Sequence, residues 1–119
     1  KSAEGLNLNY VSPVVKLAPK GEFRLTDDII ARWEPYPNAQ TYRIQIQESD
    51  SLHHFARTEI LSRSNQPHVS EHEINISKLG IPLKPGKHYT IEVTALDKLG
   101  NVISETANLY DEKDFKVIE

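Results

Sequence analysis

The sequence predicts an all-β protein built as a Greek-key β-sandwich of about seven strands. Apolar and polar residues alternate over Tyr42–Gln47 and over Tyr89–Ala95, which is the period of half-buried strands. A Pro85-Gly86 turn stands just before Tyr89, and a tyrosine at this place in Greek-key sandwiches ties a corner to upstream backbone. No segment of ordinary helix length has the spacing of an amphipathic helix.

Length limits the architecture to one domain. The chain has 119 residues, and seven strands with their turns take roughly 90–100 residues. We therefore expect a flexible polar linker over 1–12, the sandwich over 13–109, and a C-terminal extension or an extra edge strand over 110–119. The chain contains no cysteine, so no disulfide supports the fold, as in many sandwiches of this type.

Charge and hydropathy argue against nucleic-acid binding and against a membrane-spanning segment. The net charge is only −3 and no cluster of lysine or arginine is present, which argues against nucleic-acid binding. No apolar stretch approaches the ~20 residues of a membrane span, so no transmembrane segment is predicted. Because the chain starts at Lys1 rather than at a methionine, we expect a mature protein or an excised fragment.

The first third of the chain predicts two strands. The apolar run over 13–19 is bracketed by prolines, which edge strands tolerate. The segment Pro19–Phe23 resembles the turn that precedes the second strand in many bacterial surface modules. A turn rich in proline is predicted over 35–39. Between the two turns a strand is predicted whose inward residues are Ile29, Ala31 and Trp33.

The middle of the chain contains the clearest alternation. The strand over 42–47 directs Tyr42, Ile44 and Ile46 inward and Arg43, Gln45 and Gln47 outward. For the following segment we expect a short strand over 55–61, with a helical turn over 51–57 as the competing interpretation. A further strand over 70–76 contributes Ile74 and Ile76 to the core.

The last third predicts a hairpin. Leu79 and Leu83 border the crossover into a strand whose inward residues are Tyr89, Ile91, Val93 and Ala95. The segment 97–101 is the hairpin turn, since glycine and asparagine adopt the positive φ that tight hairpins require. The returning strand is predicted over 102–109.

Six of these residues, in their order and separation, resemble the signature of the fibronectin type III family: Trp33, Tyr42, Leu83, Pro85, Gly86 and Tyr89. The Asp97-x-x-Gly100-Asn101 turn is similar to that of bacterial extracellular members. The resemblance covers about 29–106. It implies a fibronectin type III or immunoglobulin-like Greek-key sandwich in an extracytoplasmic protein, secreted, periplasmic or on the cell surface. It also implies a non-catalytic spacer or interaction module whose partners are another protein or neighbouring domains of a larger chain.

Two turns at one end of the predicted sandwich supply candidate contact residues. Tyr36 and Asn38 lie in the first turn, and Lys98, Leu99 and Asn101 lie in the hairpin turn. An exposed tyrosine at a loop tip offers contact area at low entropy cost. Tyr36 stands between two prolines, however, and packing over the end of the sandwich is the alternative for its ring.

Other binding surfaces remain open at this point. The outward residues Arg43, Gln45 and Gln47 form a polar face, and a sheet edge accepts an added strand. A carbohydrate-binding module is the alternative function, and polysaccharide the alternative partner. It requires a row of exposed aromatic residues, for which the candidates are Tyr36, Phe55 and Tyr110.

No metal site or cofactor is predicted. His53 and His54 would point to opposite faces of a strand, and His68 and His72 would lie ~13 Å apart, so we expect solvated loop histidines. Asp27, Asp28 and Asp97 lack the spacing of a calcium loop. We expect the first two to shape a turn through their own backbone.

The sequence does not predict an enzyme. It has no Gly-x-Ser-x-Gly motif, and the carboxylates Glu71 and Glu73 are expected on an outward strand face, where they stay solvated. The glycosylation sequon at Asn75-Ile76-Ser77 falls on a predicted strand rather than a loop, so we interpret it as coincidental. No residue is therefore proposed as catalytic.

Overall fold

The computed structural model describes residues 12–49, 59–62, 71–107 and 113–119. Within these residues nine strands form two sheets, and a 3-10 turn over Ile76–Lys78 follows the sixth strand. In chain order the strands are β1 (Lys16–Ala18), β2 (Gly21–Arg24), β3 (Ile30–Trp33), β4 (Thr41–Glu48), β5 (Glu59–Ser62), β6 (His72–Asn75), β7 (His88–Leu96), β8 (Val102–Glu105) and β9 (Phe115–Ile118).

The two sheets differ in size. In the smaller sheet β3 lies between β1 and β6 and is antiparallel to both. In the larger sheet the order is β2-β9-β7-β4-β5, and β8 pairs with the C-terminal half of β7. The prediction of an all-β protein is confirmed. The strands beyond the predicted seven are β2 and β9, which pair with each other.

The ladder between β4 and β7 is the centre of the larger sheet. The two strands pair antiparallel from Thr41↔Leu96 to Glu48↔Tyr89. The predicted inward residues of both strands are buried, because alternate side chains of a strand point to the same face. The alternation in the sequence therefore predicted these two strands and their orientation.

The predicted turn over Pro19–Phe23 is wrong, because the chain changes sheets there and forms a strand. After β1 ends in the smaller sheet, β2 joins the larger sheet and runs parallel to β9, from Gly21↔Phe115 to Arg24↔Ile118. Residues 115–118 are thus a strand with a neighbour on each side, β2 and β7. A strand within 110–119 was one of the two alternatives predicted there, but the pairing partner of β2 lies far away in the chain and was not indicated by the sequence of 19–23.

Side chains from both sheets form one core. Its largest fully buried members are Trp33, Tyr42, Tyr89 and Phe115. The Tyr89 hydroxyl accepts a hydrogen bond from the Lys84 main-chain N–H at 2.7 Å, so the predicted tie between this tyrosine and an upstream corner is confirmed. Ile76 is buried as predicted, and Ile74 packs against the core.

The remaining strand predictions are partly tested. The predicted strand over 55–61 corresponds to β5, Glu59–Ser62, and its first residues lie outside the described part of the chain. The predicted strand over 70–76 is shorter, because the chain turns into the 3-10 segment at Ile76. The last predicted strand ends at Glu105, and its positions 108–109, like residues 1–11 of the predicted linker, fall outside the described residues.

Candidate binding site at the loop end of the sandwich

Two turns meet at one end of the sandwich, which we call the loop end: the β3–β4 turn over 34–40 and the β7–β8 turn over 97–101. Their proximity follows from strand register. Thr41 pairs with Leu96, and the Gln40 N–H donates to the Leu96 carbonyl at 2.8 Å. The candidate contact residues on these two turns therefore share one end of the molecule.

The β7–β8 turn is fixed by its first residue. The Asp97 carboxylate accepts hydrogen bonds from the main-chain N–H groups of Leu99 and Asn101, both at 2.9 Å. The Asp97 main chain also bonds to Asn101 and Gly100. The bond from the Asn101 N–H, more than that from Leu99, lowers the pKa of Asp97, because both favour the ionised carboxylate.

This turn presents an apolar side chain to solvent. Leu99 is 78% exposed, the largest exposed fraction among the exposed large hydrophobic residues of the described chain, and Lys98 beside it is also exposed. Gly100 has a φ of 86°, a conformation that favours glycine and closes the turn. Leu99 is thus displayed on backbone that is already ordered.

Tyr36 anchors the β3–β4 turn to the sandwich and is not displayed to solvent as a contact residue. The Tyr36 ring is half-buried against the core, its main-chain N–H donates to the Tyr42 hydroxyl at 2.8 Å, and its own hydroxyl donates to the Ser12 carbonyl at 2.7 Å. Asn38 is exposed and has a φ of 70°, as asparagine tolerates in turns. Of the two candidates on this turn, Asn38 is therefore the accessible one.

The polar face of β4 is only partly accessible. Arg43 and Gln45 are half-buried and Gln47 is exposed. They lie opposite Thr94, Glu92 and Thr90 of β7. The Nε–H of Arg43 is buried and has no hydrogen-bond acceptor among the described residues.

A groove extends from the loop end along β8. It has a volume of about 470 Å³, and its lining residues are Pro13, Val102, Ile103, Ser104, Glu105, Thr106 and Ala107. Val102 is 54% exposed and lies on the same hairpin as Leu99. The sequence did not indicate this groove, because it forms where Pro13 lies beside 102–107, and these two segments are far apart in the chain.

The expectation of solvated histidines is wrong for His72. This side chain is only 4% exposed and lies among the rings of Trp33 and Tyr42, with centroids 5.9 and 4.8 Å away. The reason is that His72 belongs to β6 and pairs with Trp33, so it points into the core. His53, His54 and His68 lie outside the described residues, as do Phe55 and Tyr110.

The acidic candidates take structural roles. Asp27 accepts from the Arg24 N–H at 2.7 Å and so shapes its turn as predicted, whereas Asp28 accepts from the Asn75 side chain at 3.1 Å. Glu71 and Glu73 both contact the Arg32 guanidinium, at 3.1 and 3.9 Å. In the described part of the chain no group of three or more His, Cys, Asp or Glu residues is arranged to hold a metal ion.

No helix among the described residues is long and apolar enough to cross a membrane. Comparison of the chain with protein-family models, with curated proteins and with solved structures finds no match.

Proposed function

We propose that this chain is a fibronectin type III-like or immunoglobulin-like Greek-key sandwich that acts as a non-catalytic interaction module of a secreted or cell-surface bacterial protein. The fold part of the proposal is supported by the connections from β3 to β4 and from β6 to β7. Each crosses between the sheets, as Greek-key connections do. The location is inferred from the resemblance of the 97–101 turn to bacterial extracellular members.

The observation that carries the interaction role is the ordered, exposed tip of the β7–β8 turn. Leu99 is 78% exposed while the Asp97 hydrogen bonds hold the backbone on which it stands. A side chain presented on fixed backbone loses little conformational entropy on binding. We therefore assign the contact to Leu99 and Lys98, with Asn38 and Asn101 beside them at the loop end.

The spacer role is supported by the path of the chain. The Ser12 carbonyl accepts from the hydroxyl groups of Tyr36 and Ser104, so the chain begins the sandwich at the loop end. It leaves through β9, where Lys116 pairs with His88, the first residue of β7, at the opposite end. Neighbouring domains of a larger chain would therefore attach at opposite ends.

The carbohydrate alternative receives less support. Of its three aromatic candidates, Tyr36 is the only one in the described part of the chain, and its hydroxyl and ring already contact Ser12 and the core. Stacking on a sugar requires a free ring face.

The test is a crosslinking pull-down with the purified domain, against extracytoplasmic protein extract and cell-wall polysaccharide in parallel. We expect one saturable protein partner whose capture is lost in Leu99→Ser. The matched control is Leu25→Ser, which changes a 51% exposed leucine in the turn at the opposite end. Capture that both variants retain would contradict the assignment to the loop end, and retention on polysaccharide alone would favour the carbohydrate alternative.

A further inference from the structure

The edge of the larger sheet beside β7 is interrupted. β8 pairs with β7 as far as Thr94↔Glu105, and β9 resumes the pairing at Tyr89↔Phe115. Thr106 bonds to Val93 through its main-chain N–H and its hydroxyl, so Val93 is paired. Between these two strands, no strand in the described part of the chain lies beside the main chain of Ile91 on this side.

Two charged side chains take the place of the missing strand. The Asp114 carboxylate accepts from the Ile91 N–H at 2.6 Å, and the Lys16 ammonium donates to the Ile91 carbonyl at 2.8 Å. The same ammonium donates to the Asp114 carboxylate at 2.8 Å. The side chains of Lys16 and Asp114 are only 11% and 4% exposed, so solvent does little to screen this ion pair.

This ion pair joins parts of the chain that the strand ladders leave unconnected. Lys16 belongs to β1 in the smaller sheet, and Asp114 directly precedes β9 in the larger one. The pair lies beside a notch of about 150 Å³ between the two sheets, whose wall also includes Val14, Pro19 and Thr106. Lys16 and Asp114 therefore hold the first strand, the last strand and β7 together at one point.

The β2 and β9 strands, on the far side of this point, pair with the rest of the larger sheet over a short length. In the described part of the chain β2 pairs with β9 alone, and β9 pairs with β7 only through Phe115↔Tyr89 and Lys116↔His88. Two-stranded ribbons are marginally stable by themselves, and parallel pairs are weaker than antiparallel ones. The apolar contacts of the β2–β9 ribbon come from Phe115, whose ring stacks on Tyr89 at 5.4 Å, from Val117 in the core, and from Phe23 packed against it.

We propose that Lys16 and Asp114 form a latch that keeps the β2–β9 ribbon on the larger sheet. The ribbon opens as a unit, with the β4–β7 ladder intact, and the latch determines how often it opens. Sub-global opening occurs in contiguous cooperative units, which often coincide with supersecondary motifs such as this ribbon. This role does not depend on the proposed binding function.

Amide hydrogen exchange at increasing denaturant concentration tests the latch. The N–H groups of Gly86 and Val117 report on the ribbon, because they donate to the carbonyls of Val117 and Lys87. In the unaltered protein we expect the Gly86 and Val117 amides to have the same free energy of opening. This free energy should be lower than that of the β4–β7 amides, and it should depend less on denaturant concentration. A common value for all these amides would overturn the proposal.

The variant Asp114→Asn keeps the size of the side chain and removes its charge. Breaking a buried ion pair is strongly destabilising, so we expect the exchange of the Gly86 and Val117 amides to accelerate on the order of a hundredfold. The matched control is Glu71→Gln, an acid-to-amide change in an ion pair of the smaller sheet that ribbon opening leaves intact. Unchanged ribbon exchange in Asp114→Asn, or equal acceleration in Glu71→Gln, would contradict the latch.

A second variant covers the case in which Asp114→Asn does not fold. Lys16→Met retains an apolar stem of similar length and removes the ammonium group, so the Ile91 carbonyl loses its donor. We expect the same selective acceleration at Gly86 and Val117. If exchange accelerated equally at the ribbon amides and across the β4–β7 ladder, the ion pair would stabilise the whole fold, and the proposal would be wrong.

Discussion

Two buried tyrosines stabilise turns in the same way. The Tyr42 hydroxyl accepts from the Tyr36 N–H, and the Tyr89 hydroxyl accepts from the Lys84 N–H. Burial raises the pKa of Tyr42, although the bond from Tyr36 opposes the rise, so the phenol stays neutral at physiological pH. Each turn thus has a main-chain donor bonded to a side chain that the core holds in place.

Asp97 makes the β7–β8 turn sensitive to acid. Its pKa in the folded protein is lowered, with the Asn101 N–H as the largest cause, whereas an unfolded aspartate titrates at about 3.9. The contribution of its carboxylate is therefore present in full above the unfolded value and is lost as the pH falls through the folded pKa. Near neutral pH the turn remains ordered.

An NMR titration of the Asp97 carboxyl group checks this prediction. We expect its midpoint to lie below the ordinary aspartate value, and the amide shifts of Leu99 and Asn101 to follow the same curve. In Asp97→Asn the amides should show no such transition. A midpoint at the ordinary value or above it would mean that the hydrogen bonds do not favour the ionised form.

At the scale of elements, Ser77 fastens the end of β6 to the start of β3. Its hydroxyl accepts from the Ile29 N–H at 3.0 Å and donates to the Asp27 carbonyl at 2.9 Å. Its main-chain N–H donates to the Asn75 side chain at 2.9 Å. The residues of the glycosylation sequon therefore have a structural use in this fold.

The variant Ser77→Ala tests that connection. Ile29 is 1% exposed, so the change leaves a main-chain donor with little access to water, at a cost of about 1–3 kcal/mol in unfolding free energy. Ser77→Thr retains the hydroxyl and serves as the control. Equal stability of the alanine variant and the unaltered protein in urea denaturation would show that water replaces the serine.

The edge of β2 is protected by the turn that follows it. The N–H and carbonyl of Arg24 bond to the side chain and the N–H of Asp27, respectively. These main-chain groups are then unavailable to an added strand, which is a common way to prevent edge-to-edge association. Together with the exposed charges of Glu22 and Arg24, this argues against partner binding through β2.

The sequence predicted some elements and missed others for a physical reason. Strands β4 and β7 are long, and each buries one face, so the period of their residues is visible locally. Strand β2 and the buried position of Asp114 depend on β9 and Lys16, which lie far away in the chain. Nothing within either segment records such a partner. His72 is a different case, since it shares a strand face with the predicted core residues Ile74 and Ile76, and this alternation already indicated the buried position that its pairing with Trp33 gives it.

The sequence predicted the turns of the candidate site but not all of the contacts within it. The two turns and the residues on them follow from Pro, Gly and Asn at turn positions, and strand register brings them together. The anchoring of Tyr36 by Ser12 required the fold, because the two residues are 24 positions apart. Leu99 is available for contact and Tyr36 is not, and this difference comes from tertiary contacts that the sequence alone does not show.

At the scale of the whole molecule, the chain runs from one end of the sandwich to the other. Ser12 lies at the loop end beside Tyr36 and Ser104, and Ile118 lies beyond the start of β7. The nine residues of β7 run from the one end to the other. At ~3.3 Å per residue, this places Ser12 and Ile118 about 30 Å apart. In a larger chain, a module with this path would place its two neighbours at opposite ends.

A distance measurement between spin labels checks this path. Because the chain contains no cysteine, Ser12→Cys and Glu119→Cys introduce the only two labelling positions. We expect a single distance of about 30 Å or more, since nine strand residues separate the two ends. The control pair Ser12→Cys with Asn38→Cys spans only the loop end and should give a clearly shorter distance. If the first pair gave a distance as short as the control, both ends would emerge together, and the spacer role would lose its structural basis.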